Sequence, residues 1–84
     1  MRCRDDPGRP AYPRDGAVAL AVGIALVERQ LWGKGRRLLE QAATDDGLRT
    51  PLRRKAWLAL ARLAQDETDV TRAAQCFEAA ARLP

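Results

Sequence analysis

Apolar residues form one unbroken run and three amphipathic segments along this chain. Residues 17–27 read AVALAVGIALV, eleven apolar positions without a charge, which predicts a helix that is buried on most sides. Asp15 stands just before this run and is the expected N-cap. Downstream, apolar residues recur every three or four positions over residues 34–44, 50–65 and 70–83. This spacing predicts three further helices and therefore an all-α fold.

Short polar or glycine-containing segments separate the predicted helices. Gly47 is a natural C-terminal helix stop, and Thr50 followed by Pro51 is typical of an N-cap and a first helical position. Because the connections are short, consecutive helices are expected to pack as antiparallel hairpins. The three breaks lie at residues 31–33, 45–47 and 66–69.

The first 15 residues differ from the rest of the chain. They contain three prolines, one glycine and seven charged residues. Such a segment has no apolar face to bury, so we expect residues 1–15 to be a flexible tail. Residues 16–84 are then predicted to form one helical domain.

The first two predicted helices resemble the last two at an offset of 38 residues. A small residue on both helices at a crossing point lets two backbones approach closely, and a large apolar residue one turn away locks the pair. We therefore expect each hairpin to cross at its small residues. The offset pairs Gly23 with Ala61, Gly35 with Ala73, Leu39 with Phe77, and Ala42 with Ala80.

These paired positions resemble the tetratricopeptide repeat, whose first helix carries a large aromatic, Leu and a small residue and whose second carries Ala, an aromatic and Ala. The second unit matches at Trp57, Leu60, Ala61, Ala73, Phe77 and Ala80. The first unit matches at Val22, Gly23, Gly35, Leu39 and Ala42, but has Ala19 in place of the aromatic. The resemblance implies two stacked hairpins in a short right-handed solenoid, with repeats at about 16–47 and 51–84. A plain four-helix bundle is the alternative.

A shorter stretch is similar to the C-terminal region of the HemY family, bacterial tetratricopeptide proteins linked to haem biosynthesis. It reads QLWGK at residues 30–34 and GRRLLE at residues 35–40, where the family usually has alanine in place of Gly35. The resemblance implies a protein-binding scaffold whose partners are haem-pathway enzymes, in a parent held at the inner membrane by N-terminal segments. Without that relation, we expect a soluble cytoplasmic adaptor unconnected with haem.

The same stretch predicts the geometry of the first turn. Trp32 stands where a repeat turn often carries an aromatic, so it is expected to staple the two helices by packing. Gly33 is expected to permit the tight reversal of the chain, and Lys34 is expected to project outward.

Composition argues against an enzyme. Histidine and serine are absent from the 84 residues, which excludes Ser-His-Asp and Cys-His catalysis. Cys3 and Cys76 do not suggest a disulfide framework or a zinc site, and we expect both to be reduced thiols. We therefore predict no catalytic residue, metal or cofactor. Porphyrin binding is an alternative, with Cys76 as its candidate axial ligand in the folded part.

The tetratricopeptide resemblance implies a partner-binding groove along the inner face of the first helix of each repeat. That face is apolar in its first half and polar in its second. The first predicted helix is also apolar nearly all round, so we expect the chain to self-associate through residues 16–31. The groove is expected to include Leu20, Ile24, Val27, Leu58, Arg62 and Gln65.

Basic residues cluster where the third predicted helix begins, and the chain has a formal net charge of +4. Cations at a helix N-terminus oppose the helix dipole, which hints at an acidic partner, lipid headgroups or RNA. A solvated helix face is the alternative. We do not expect nucleic acid, because the cluster lacks interleaved aromatic residues. The cluster consists of Arg49, Arg53, Arg54 and Lys55.

Overall fold

The computed structural model describes residues 15–84, and these residues form four helices and no strand. The predicted all-α fold is therefore confirmed. The predicted flexible tail, apart from Asp15, lies outside the described residues. The helices are α1 Gly16–Glu28, α2 Trp32–Ala43, α3 Thr50–Asp66 and α4 Val70–Arg82.

The helices pack in chain order. Helix α1 packs on α2, α2 on α3 and α3 on α4, whereas α1 and α3 touch only slightly. Among the described residues α1 and α4 make no contact, although a closed four-helix bundle would bring them together. Two antiparallel hairpins thus stand side by side in a small solenoid-like arrangement, with α2 and α3 as the junction between them.

Alanine and leucine form most of the core. Leu39, Ala42 and Ala61 are fully buried, and no charged or polar side chain is buried within residues 15–84. Small side chains let neighbouring helices approach closely, so a thin pair of hairpins can still exclude water.

Aspartates cap two of the helices. The Asp15 carboxylate accepts a hydrogen bond from the Ala17 N–H at 2.9 Å, which confirms the predicted cap of α1. The Asp69 carboxylate accepts from the Arg72 N–H at 3.1 Å at the start of α4. Each bond satisfies a backbone donor that has no partner within the helix.

Two predicted helix boundaries are wrong. Arg49 is the N-cap residue of α3, and Thr50 already lies in the helix without capping it. Helix α2 ends at Ala43, and no described glycine has a positive φ, so Gly47 is not a left-handed stop. Instead, the Asp45 carboxylate accepts a hydrogen bond from the Gly47 N–H at 2.9 Å and shapes the loop as an Asx turn.

The two hairpins turn in the same way. In α1, the N–H groups of Gln30 and Leu31 donate to the carbonyls of Val27 and Leu26, each at 2.9 Å. These are the two bonds of a Schellman motif with Gln30 in the left-handed conformation, at φ 66°.

The equivalent turn follows α3. The N–H groups of Thr68 and Asp69 donate to the carbonyls of Gln65 and Ala64, at 2.9 and 2.8 Å, and Thr68 has φ 59°. Gln30 and Thr68 are 38 residues apart, as are the ends of α1 and α3. The offset found in the sequence therefore has a counterpart in the turns. The extra length between the repeats is an additional N-terminal turn of α3, which has 17 residues where α1 has 13.

The observed turn corrects the predicted role of Gly33. Trp32 and Gly33 lie in the first turn of α2, so Gly33 does not make the reversal. The Trp32 side chain is 40% exposed and does not belong to the buried core, which does not support the predicted staple.

The close crossing of α1 and α2 is confirmed at Gly23 and Gly35. A Cβ atom on Gly35 would lie 2.6 Å from Val27 Cγ2 and 3.0 Å from the Gly23 carbonyl oxygen. A Cβ atom on Gly23 would lie 3.1 Å from two atoms of the Leu39 side chain. The backbones of the two helices therefore touch directly, and glycine is needed for that contact.

The remaining repeat positions divide into buried and exposed residues. Ala61, Ala73 and Ala80 are buried, and Trp57 is half-buried against the core. Phe77 is 40% exposed although its partner in the repeat, Leu39, is fully buried. The difference arises because α2 has a helix on both sides, whereas α4 lies at the edge of the described fold.

Two glycine substitutions in α2 are predicted to have opposite effects. A Cβ atom on Gly33 would have no neighbour within 4 Å. The gain in helix propensity from Gly33→Ala should therefore stabilise the protein by about 0.5 kcal/mol. Replacing Gly35 by alanine forces the α1 backbone away and should cost about 1–3 kcal/mol. Urea unfolding followed by circular dichroism measures both. Equal stabilisation by the two substitutions would contradict the close crossing.

Thr68→Gly is predicted to stabilise the protein. A β-branched residue in the left-handed region costs about 1 kcal/mol, and glycine removes that cost. Thr68→Ala keeps a Cβ atom and serves as the control, for which no comparable gain is expected. Thermal unfolding of the three proteins tests this, and a lower melting temperature for Thr68→Gly would argue against the strained turn.

Candidate functional site

An open groove runs between α1 and α3, and we call it the α1–α3 groove. Its volume is about 460 Å³, within the range of about 300–1,000 Å³ typical of ligand sites. It exists because α2 lies between the two helices and leaves them almost without mutual contact. Ten residues line it: Ile24, Val27, Glu28, Leu39, Lys55, Leu58, Ala59, Arg62, Leu63 and Asp66.

The groove brings together four of the six residues predicted for a binding face. Ile24 and Val27 come from α1, and Leu58 and Arg62 from α3. The other two predicted residues lie elsewhere. Leu20 is 4% exposed and belongs to the core, while Gln65 is exposed but does not line the groove.

Four charged residues lie along the groove. Glu28 and Asp66 come from the C-terminal turns of α1 and α3, and Lys55 and Arg62 come from the body of α3. The lining therefore presents two acidic and two basic groups around an apolar floor. Such a surface buries apolar side chains of a ligand and orients the ligand through charges at the rim.

Sequence reasoning missed Glu28 and Asp66, although helical spacing contained the signal. Asp66 lies four residues after Arg62, and Glu28 lies four residues after Ile24. Residues four apart share a face of a helix, so both carboxylates follow from the residues already predicted. Leu39 carried no such signal, because its approach to α3 depends on how the hairpins pack.

The predicted basic cluster has separate roles. Arg53 Nε donates to the carbonyl oxygen of Ala43 at 3.1 Å, so this guanidinium satisfies the C-terminal end of α2. Lys55 lines the α1–α3 groove, and Arg49 is the N-cap residue of α3. Residues 53, 54 and 55 are each turned by about 100° from the last around the helix. These three side chains therefore point in different directions around α3 and do not form a single basic face.

A second groove lies on the opposite side, between α2 and α4 over α3. Its volume is about 580 Å³. The guanidinium of Arg72 bridges it, with Nη1 3.5 Å from a carboxylate oxygen of Glu40. It is lined by Arg37, Glu40, Gln41, Thr44, Trp57, Leu60, Arg72, Gln75, Cys76 and Ala79.

Cys76 lies buried in this second groove. Burial raises the pKa of the thiol, because the thiolate loses hydration, and the positive charge of Arg72 offsets only part of this effect. The thiol is therefore protonated at neutral pH. Since the thiolate is the form that ligates a metal, the setting of Cys76 does not favour the porphyrin alternative.

No family model, curated protein or solved structure matches the chain. Within residues 15–84, no group of three or more Cys, Asp or Glu residues is arranged to hold a metal ion. None of the four described helices has the length and apolar character needed to cross a membrane.

Proposed function

We propose that this chain is a protein-interaction module that binds a segment of another protein in the α1–α3 groove. The observation that carries the proposal is the groove itself, where Ile24, Val27 and Leu58 from two repeats line one surface. Leu58 is 39% exposed there, so it offers apolar area for a ligand to cover.

The lining specifies the chemistry of the ligand. An apolar floor flanked by acidic and basic groups suits a peptide with one or two large apolar anchors and a charge on each side. Arg62 would pair with a carboxylate of the ligand, and Asp66 or Glu28 with a basic side chain. Catalysis is not part of the proposal, because the chain lacks the histidine and serine of common acyl-transfer sites.

The finer proposal places this module in a HemY-like scaffold. Its support is the resemblance of residues 30–40, and the partners it implies are haem-pathway enzymes. A general tetratricopeptide-like adaptor is the alternative, supported by the repeat pattern alone. Both assign the same groove and differ only in the protein that occupies it.

Peptide selection tests the groove. A displayed random peptide library is selected on the full chain, and the affinities of the enriched peptides are measured by fluorescence anisotropy. We expect apolar anchors in these peptides. Leu58→Asp should weaken binding by at least about tenfold, because a charged carboxylate replaces an apolar contact of about 1.4 kcal/mol or more.

Two further variants sharpen this test. Arg62→Glu should weaken the binding of peptides with an acidic flank and favour those with a basic one. Val70→Asp makes a matched apolar-to-acidic change at a 77% exposed position outside the groove and should leave affinity unchanged. Equal loss from Leu58→Asp and Val70→Asp would show that peptides bind somewhere other than the groove.

Crosslinked affinity capture tests the finer proposal. The full chain and its Leu58→Asp variant serve as baits in lysate of the organism that encodes the chain. Enrichment of haem-pathway enzymes by the native bait alone would support the HemY-like scaffold. Groove-dependent capture of unrelated proteins would support the general adaptor. Capture of haem-pathway enzymes equally by both baits would contradict the groove as their site.

A further inference from the structure

The outer face of α1 is apolar and has no partner among the described residues. Val18 is 45% exposed and Val22 is 39% exposed, and Ala25 on the same side is exposed as well. These positions are separate from the α1–α3 groove, which uses Ile24, Val27 and Glu28. We call residues 18, 22 and 25 the α1 outer face.

Inside the molecule, the equivalent face of α3 is buried against α2. Two residues at opposite ends of α3 bond to α2. Arg53 donates a hydrogen bond to the Ala43 carbonyl, and Glu67 accepts one from Arg36. Between them lie three buried residues that helical spacing places on the same side of α3, the side from which Arg53 and Glu67 reach α2. These are Ala56, Leu60 and Leu63.

The repeat offset relates this internal junction to the α1 outer face. Subtracting 38 from residues 56, 60 and 63 gives residues 18, 22 and 25. The face that α3 buries against α2 is therefore the face that α1 leaves exposed. Because the two hairpins share their turns, the surface that α1 presents to solvent corresponds to the surface with which α3 receives α2.

Helix α4 carries the complementary surface. The residues of α2 on the side of α3 are Arg36, Leu39 and Ala43, of which Leu39 also reaches the groove beside α3. Adding 38 gives Ala74, Phe77 and Ala81, all exposed residues of α4. Together with Val70, which is 77% exposed, they form a continuous apolar stripe that we call the α4 edge.

A charge pair supports the same arrangement. Across the internal junction, Arg72 of α4 lies 3.5 Å from Glu40 of α2. Subtracting 38 from Arg72 gives Lys34, and adding 38 to Glu40 gives Glu78. A copy stacked on the α4 edge would therefore place its Lys34 beside Glu78 with the correct signs. Among residues 15–84, Glu78 pairs only with Arg82, at 3.0 Å on the exposed surface, and such a pair is easily exchanged.

We propose that the chain associates head to tail with a second copy of itself, the α4 edge of one copy packing on the α1 outer face of the next. The contact repeats the internal α2–α3 junction without its Arg36–Glu67 and Arg53–Ala43 bonds, so it is weaker than that junction. It is heterologous, which means that each added copy exposes a new α4 edge and the assembly grows with concentration.

Paired variants test the arrangement in the full chain. Val22→Glu blocks the α1 outer face and Phe77→Glu blocks the α4 edge, both at positions near 40% exposed. Sedimentation equilibrium over a concentration series should show the native chain rising beyond the mass of a dimer. Each variant alone should be monomeric, and an equimolar mixture should form a one-to-one dimer and nothing larger, because one intact surface remains on each copy.

Contrary outcomes are distinct. A native chain that is monomeric at every concentration overturns the proposal. Phe77→Glu that dimerises as well as the native chain also overturns it, since that result means a symmetric contact between α1 helices. Circular dichroism checks that each variant is folded. If Val22→Glu or Phe77→Glu unfolds, Ala25→Glu and Ala81→Glu provide a second pair at exposed helical positions.

Charge reversal gives an independent readout. Lys34→Glu and Glu78→Lys should each weaken association. An equimolar mixture of the two should recover it, because every contact between unlike copies then joins opposite charges. If association does not return in the mixture, the register given by the offset is contradicted. Leu58→Asp should leave association intact, and Val22→Glu should leave peptide binding intact, so failure here is distinguishable from failure of the α1–α3 groove.

Discussion

The junction between α2 and α3 holds the two hairpins in a fixed relation. Its centre is apolar and buried, because alanines on both helices allow close approach, and the buried Leu39 and Leu63 lie beside it at the floor of the α1–α3 groove. Its ends are polar. Arg53 Nε donates to the carbonyl of Ala43, the last residue of α2, and Arg36 pairs with Glu67 across the two helices. The apolar centre supplies most of the stabilisation, and the two guanidinium contacts define the register.

The α1–α3 groove is a direct consequence of this junction. Since α3 packs on α2, it cannot also close against α1, and a gap is left above Leu39. The charged residues at the gap need no burial, so they can stay hydrated until a ligand arrives. The same packing that stabilises the fold thus creates a surface for recognition.

Repetition makes the edges of the fold resemble its interior. Both hairpins end their first helix with the same Schellman turn. The small residues Gly23 and Gly35 of the first hairpin recur as the buried Ala61 and Ala73 of the second. Leu39 and Phe77 occupy the same position, yet Leu39 is buried and Phe77 is 40% exposed. Helices α2 and α4 share a sequence pattern, and their exposure differs because α4 has a neighbouring helix on one side only. The ends of a stacked repeat are therefore the natural places for association.

Local sequence determined the four helices, the Asp15 cap and the offset of 38, because apolar spacing and capping chemistry act within a few residues. It also determined the close crossing at Gly23 and Gly35, since only small residues recur there. The misplaced boundaries at Trp32 and Thr50 reflect competition between alternative helix starts, which differ by little free energy.

Tertiary structure decided where each side chain is used. Leu20 and Ile24 share an apolar run, but one is in the core and the other lines the groove. Arg53 and Lys55 share a basic cluster, but one caps α2 and the other lies along the groove. These assignments depend on partners distant in the chain. A helix pattern specifies which residues share a face, but the helix packed against that face determines whether it is buried, bonded or open.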